Sequence, residues 1–331
     1  MTLQQGSDDR WYTSPQQQLA VTDAHLREAT NDADQLGVAA GLIERGRCLE
    51  ALWQPQLALQ AYHDARQLIS NEPGPWAQAL LCRSCLGSAA LHYAHADYAL
   101  ALADWQQALA LAEAAGDTAM QGEALVGLGR ICQVWERADA ALSYNQRALA
   151  MPGMDARLQA MAVLNLVSSL NTLQRYAQMP DWLAQARSLI AAAPGEPFLA
   201  EWHMYAGIAT GEAGDLAAAR NHIDSALALA AGANNHWARV FCLIQQGRLQ
   251  MRTRQWAEAR QALELALHDA ESLGLAHTLK DIHHALSQLC EAQGNIPDAF
   301  EHHKLFHQYH AWAYDGLRQQ QLRDILPDAL A

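Results

Sequence analysis

The chain has 331 residues, 22 of them basic and 35 acidic, giving a net charge of −13 at neutral pH. Its 51% hydrophobic content is too high for a disordered chain, and its acidic balance argues against a nucleic-acid surface, which needs a basic face. No stretch approaches the roughly 18 uninterrupted apolar residues of a membrane span, so none is expected.

Residues 1–14 lack periodicity and are expected to form a flexible N-terminus. Met1 to Arg10 is polar and carries Asp8 and Asp9, which is no secretory signal. Six cysteines without a regular framework fit reduced thiols and a cytoplasmic location. Ser14-Pro15 predicts the start of a capping helix over 15–31, through a capping hydroxyl and a preset φ. Beyond it, alanine and leucine dominate, and both are strong helix formers. No β-branched or aromatic run alternates with polar residues. Prolines such as Pro73, Pro75, Pro152, Pro194 and Pro197 fall between the apolar-periodic blocks, where they stop or start helices.

The blocks repeat. A mostly small anchor recurs at Gly46, Ala89, Gly129, Val167, Gly207, Gly247 and Ser287, in steps of 43, 40, 38, 40, 40 and 40 residues. Alanines follow at fixed offsets, as in Ala58 and Ala65, Ala101 and Ala108, or Ala259 and Ala266. Each copy reads as two amphipathic helices joined by a short turn. The small residues let the two backbones approach closely. Tyr98, Tyr176, Leu216 or Trp256 after the turn fills space toward the next copy. No copy buries its apolar face alone, so the copies must stack. The prediction is an all-α solenoid, a right-handed superhelix of about seven helix-turn-helix units in a single domain over 15–331. The units span about 36–72, 75–115, 117–152, 155–194, 196–232, 233–274 and 275–315. A C-terminal helix then runs to about 326, where Pro327 stops it.

A small residue, eleven or twelve residues, an alanine, six residues and another alanine is a pattern that resembles the tetratricopeptide repeat. The resemblance covers about 36–315. The standard repeat has 34 residues. The longer copies here look like arrays in bacterial signalling proteins, namely MalT-type activators and the regions preceding diguanylate cyclase domains. The stretch from Glu301 to Gly316 is similar to the helix leading from such an array toward a GGDEF domain. No Gly-Gly-Asp/Glu-Glu-Phe motif is present, so cyclase activity is not implied. Val167 and Met179 replace small anchors in the fourth copy, and Phe306 replaces alanine in the last.

Few residue patterns in the chain point to chemistry. Cys82, Cys85, His92 and His95 form a four-ligand set on paper. They sit on one predicted helix, Trp76 to His95, where 13 residues span about 20 Å. One zinc at about 2.0–2.3 Å cannot gather them, so small core residues are expected. His303, His307 and His310 share one helix face, with His283 and His284 on the preceding helix. They are candidate metal ligands, against the readings of a polar helix face and a pH-sensitive contact. No His-Glu-x-x-His motif occurs. Neither lysine, Lys280 or Lys304, follows a glycine, so there is no phosphate loop. Cys132, Cys242 and Cys290 fall on apolar positions. No enzyme activity, metal or cofactor is expected.

The tetratricopeptide resemblance implies that the first helices line a concave face that binds peptides. Directly after three anchors stand Arg47, Arg130 and Arg248. Arg83, six residues before Ala89, and Arg252, five after Gly247, are expected on the same face, and Tyr93, Asn165, Asn171 and Gln245 add hydrogen-bonding groups. Met161, Leu164, Met204 and Ile208 give the middle an apolar stretch. Arginine forks suit carboxylates, so the expected partner is a protein or an acidic or extended peptide. The alternative is internal pairing with Glu44, Glu50, Glu123, Glu201, Glu212 or Asp281. On the last helix, Phe306, Tyr309, Trp312, Tyr314 and Leu317 either cap the array or form a homodimer surface. The function expected is a non-catalytic interaction scaffold in bacterial signalling or regulation. The alternative is the sensory region of a diguanylate cyclase or transcription regulator whose output domain is absent from this chain.

Overall fold

The computed structural model describes residues 14–313, apart from 96, 197, 233 and 234. Residues 1–13, the expected helix beyond 313 with Tyr314 and Leu317, and the Trp312 side chain lie outside the described residues. The homodimer surface expected there is among them.

The fold is an all-α, tetratricopeptide-like helical solenoid, with fifteen α-helices and no strand among the described residues. The leading helix is α1 (Pro15–Asn31). The first helices of successive pairs are α2 (Gln35–Ala51), α4 (Pro75–Ala94), α6 (Thr118–Val134), α8 (Ala156–Thr172), α10 (Leu199–Glu212), α12 (His236–Arg252) and α14 (Ala276–Ala292). The second helices are α3 (Pro55–Ile69), α5 (Tyr98–Ala115), α7 (Ala138–Leu149), α9 (Met179–Ala192), α11 (Leu216–Gly232), α13 (Trp256–Ser272) and α15 (Ile296–Ala313). A 3₁₀ turn, Tyr176–Gln178, precedes α9, in the copy whose anchors are Val167 and Met179. Among the described residues no helix is long and apolar enough to cross a membrane.

Helix starts follow from side-chain oxygens. Asp34 accepts from the Gly37 amide at 2.9 Å, Asp117 from Met120 at 3.0 Å, Asp155 from Leu158 at 2.7 Å and Asn235 from Ala238 at 3.0 Å. Each satisfies an amide that the helix leaves unpaired. Pro15 opens α1 as expected, but Ser14 makes no side-chain cap.

Helix ends within each pair share one geometry. The amides of Gln54, Asp97, Arg137, Arg175, Asp215, Gln255 and Asn295 donate to the carbonyls of Leu49, His92, Cys132, Leu170, Thr210, Gln250 and Cys290. This is the bond of a Schellman turn, which needs a left-handed residue just before it. Trp53, Glu136, Gln174 and Arg254 adopt it at φ 57°, 57°, 55° and 58°, and Gly214 and Gly294 supply it elsewhere. Every closing amide lies eight residues after its copy's anchor, as Gln54 after Gly46 and Gln255 after Gly247.

The chain divides into two compact units, Met1–Ile131 with Ser143–Ala162, and Cys132–Leu142 with Val163–Ala331. In the first, the fully buried Tyr62 ring fills the space left by two glycines: a Cβ on Gly46 would meet it at 2.7 Å, and one on Gly87 at 2.3 Å. Arg66 on α3 binds α4 and α5 together. Its donors reach Asp104 at 2.9 and 3.1 Å, Ser84 Oγ at 2.9 Å and the Ser84 carbonyl at 3.1 Å. In the second unit, Ile223 and Leu263 play the part of Tyr62. A Cβ on Gly207 would meet Ile223 at 2.8 Å, and one on Gly247 would meet Leu263 at 2.7 Å. The alanines Ala219, Ala226, Ala259 and Ala266 are buried, which lets paired backbones close.

Candidate functional site

In the first unit the polar side chains of α2, α4, α6 and the start of α8 gather around Glu123. This residue is exposed on α6, yet burial by the surrounding helices raises its carboxyl above the usual range. Arg47, Arg83 and Arg157 oppose that rise and Asp155 adds to it. Arg47 pairs with Glu44 at 3.2 Å, one turn back on α2. Glu50 accepts a 2.9 Å hydrogen bond from the Tyr62 hydroxyl. Burial pushes the Glu50 carboxyl up to about 7, against the pull of that bond and of Arg47. Arg83 is exposed and has no carboxylate partner within 4.0 Å among the described residues.

Tyr93 and Arg130 meet directly. The Arg130 guanidinium carbon lies 3.9 Å from the Tyr93 ring centre and 6.0 Å from that of Trp105. Tyr93 is itself held edge-on by Tyr98 at 5.6 Å and against Trp105 at 5.8 Å. Trp105 is buried against Gly127, where a Cβ would stand 2.1 Å from its ring. The stack is therefore built on a fixed aromatic base.

In the second unit the expected residues divide. Asn165 is half-buried, and its Nδ2 is a buried donor with no partner among the described residues. Its carbonyl accepts from Gln133 Nε2 at 2.6 Å and from Ser169 Oγ at 3.0 Å. Asn171, Gln245 and Arg248 are half-buried. Arg248 acts electrostatically on Tyr176 and on His284 without forming an ion pair among the described residues. Arg252 is engaged: it donates to Glu212 and to the Gly211 carbonyl, both at 2.8 Å, tying α12 to the end of α10. Lys280 on α14 pairs with Glu136 of the turn before α7. Leu164 and Met204, expected on the binding face, are core residues 5% exposed. Packing between paired helices claims them first.

The histidines form pairs. His203 and His222 place Nδ1 atoms 3.1 Å apart, and His283 and His302 repeat this two copies later. Burial, then the neighbouring His302, lowers His283 to about 4. His303 and His307 approach at 3.1 Å through Nε2, while His310 lies against Phe306 at 5.6 Å. No group of three His, Cys, Asp or Glu among the described residues could hold a metal. Phe306 and Tyr309 pack on α14, against His284 at 4.9 Å and His283 at 5.6 Å. Cys82 and Cys85 are buried, and burial pushes their thiols up to about 12 and about 11, which keeps them protonated and inert.

Tyr62 falls on the repeat grid of the first copy, but its hydrogen bond to Glu50 was not legible in the sequence. The signal for the ring was present in Gly46, whose missing side chain needs a large partner.

This arrangement of helix pairs defines a class, the tetratricopeptide-like repeat proteins. No protein-family model matches the chain, and no curated protein matches it in sequence. Solved structures do match in fold. The apo form of RapI aligns with a TM-score of 0.63 at 12% identity, over 84% of this chain and 99% of RapI. A Rap protein complexed with Competence and Sporulation Factor aligns with a TM-score of 0.62 at 13% identity, over 97% of both chains. The Rap conjugation gene regulator of plasmid pLS20, in complex with the Phr* peptide, aligns with a TM-score of 0.61 at 13% identity, over 91% of this chain and 79% of the regulator. At these identities the likeness establishes the repeat fold. It does not extend to the MalT-type or diguanylate-cyclase arrays expected from the sequence.

Proposed function

We propose that this chain is a non-catalytic scaffold that binds a peptide or an extended protein segment along the faces of its first helices. It does so in bacterial signalling or regulation, in the cytoplasm. One observation carries the reading: polar donors on first helices lack internal partners among the described residues. They are the in-plane donors of the half-buried Arg130 and Asn165 Nδ2. A buried or half-buried donor left unpaired costs about 1–3 kcal/mol, so such groups are kept where a ligand satisfies them. The Rap neighbours complexed with the Phr* peptide and with Competence and Sporulation Factor favour the same reading. Stacked repeats present extended surfaces suited to such segments.

The test is selection from a random peptide display library, followed by hydrogen-exchange footprinting with the winning peptide. Slowed exchange in α2, α4, α6, α8, α10, α12 or α14 is the expected outcome. Slowing confined to α3, α5, α7, α9, α11, α13 or α15 would place the partner on the opposite face and refute the reading.

A further inference from the structure

We propose that Arg130, stacked on Tyr93, is a carboxylate receptor, and that the partner presents an acidic side chain or a free C-terminus to it. This rests on the peptide-binding reading above and names the chemistry of its ligand.

The geometry decides what Arg130 has left to offer. A guanidinium has five N–H donors, all in its plane. Contact with an aromatic face uses the plane's broad side and leaves the edge donors open. At 3.9 Å from the Tyr93 ring centre, Arg130 is in face contact. Most other arginines in reach of an acid have given up that edge. Arg47 is paired with Glu44, Arg66 with Asp104, Arg239 with Asp269 and Arg252 with Glu212. Arg130 has no carboxylate within 4.0 Å among the described residues.

Its position points the same way. Along α6, residues 124–129 are all buried, while Glu123 is exposed and Arg130 half-buried. Seven residues apart, these two share a helix face. The charges that reach Glu123 are Arg47 of α2, Asp155 just before α8, Arg83 of α4 and Arg157 of α8. By register Arg130 shares the side of α6 that carries Glu123, and its guanidinium lies against Tyr93 of the neighbouring first helix, α4.

The fork fits a carboxylate best. Two parallel N–H donors match two coplanar oxygens. One guanidinium does not neutralise a phosphate dianion, whereas a single carboxylate matches its charge. Tyr93, clamped by Tyr98 and the buried Trp105, holds the fork in place before the ligand arrives, which lowers the cost of ordering it.

Four immobilised pools of N-terminally biotinylated random heptapeptides test this by biolayer interferometry on the full chain. One pool lacks Asp and Glu and is C-terminally amidated. A second lacks them but has a free C-terminus. A third contains them and is amidated. A fourth carries phosphoserine and is amidated. Either carboxylate pool, or both, should bind the parent about tenfold tighter than the first. Which one does so tells a side chain from a C-terminus. Arg130→Ala should erase that preference, and Arg130→Lys should restore only part of it, because the charge returns without the fork. Tyr93→Phe should keep the preference and Tyr93→Ala should weaken it several-fold. Unchanged circular dichroism will show that the variants fold. Binding without a carboxylate preference, a phosphoserine preference, or a preference that survives Arg130→Ala overturns the receptor and leaves the peptide-binding reading intact. Absence of binding by every pool overturns both.

Discussion

Arg130 in the first unit lies on an aromatic ring with its donor edge open, whereas Arg252 in the second gives its donors to Glu212 and to the Gly211 carbonyl. Both stand on first helices, Arg130 directly after Gly129 and Arg252 five residues after Gly247. The difference lies in the support beneath them. Where an aromatic base carries the guanidinium, the charge is held without being neutralised. Where a carboxylate and a helix end are within reach, the same side chain becomes a tie between neighbouring copies. The titrating groups differ as well. The first unit holds a half-buried carboxyl, Glu50, raised to about 7, and the second a histidine pair in which the buried His283 is lowered to about 4.

The largest expected effect comes from the buried clamp of the first unit. Arg66→Ala strands Asp104, whose side chain is 12% exposed, and should cost about 3–5 kcal/mol in urea unfolding. Loss below about 1 kcal/mol would show that the serines at Ser84 and Ser88 suffice.

The two units should also respond to acid with opposite sign. Folding raises the Glu50 pKa, so the folded state takes up protons between about 4.5 and 7 and loses stability as pH rises through that window. Glu50→Gln should then gain on the parent between pH 5 and pH 8, by at most about 3 kcal/mol and less after solvent screening. Folding lowers the His283 pKa from 6.5 to about 4, so stability is lost as pH falls through that range. His283→Asn should lose less stability than the parent between pH 7 and pH 5, by about 2 kcal/mol. Thermal melts of both variants at three pH values will show it. Parallel pH profiles for variant and parent would remove the groups from the acid response.

The smallest effect belongs to the tie at Arg252. Its side chain and that of Glu212 are 41% and 38% exposed, so Arg252→Ala should cost less than about 1 kcal/mol in the same unfolding experiment.

The repeat was legible because packing demands it. A small residue is required once per copy wherever Tyr62, Ile223 or Leu263 crosses from the second helix, and the Schellman turn follows at a fixed distance. The turns themselves were not legible at Trp53, Glu136, Gln174 and Arg254. A hydrogen-bonded helix end imposes the left-handed conformation there on residues that do not favour it. Register placed Arg47, Arg83 and Arg130 on first helices, but it could not say which were paired. Glu44 stands three residues from Arg47, and Glu212 stands forty from Arg252. Only the second of these needs the fold to be known.

Calorimetric titration of one display-selected peptide into the parent, Arg130→Ala and Arg252→Ala tests the central claim most directly. If the open fork is the binding group, Arg130→Ala weakens the peptide about tenfold or more and Arg252→Ala changes it less than about twofold. Equal losses, or the larger loss at Arg252, would contradict the claim.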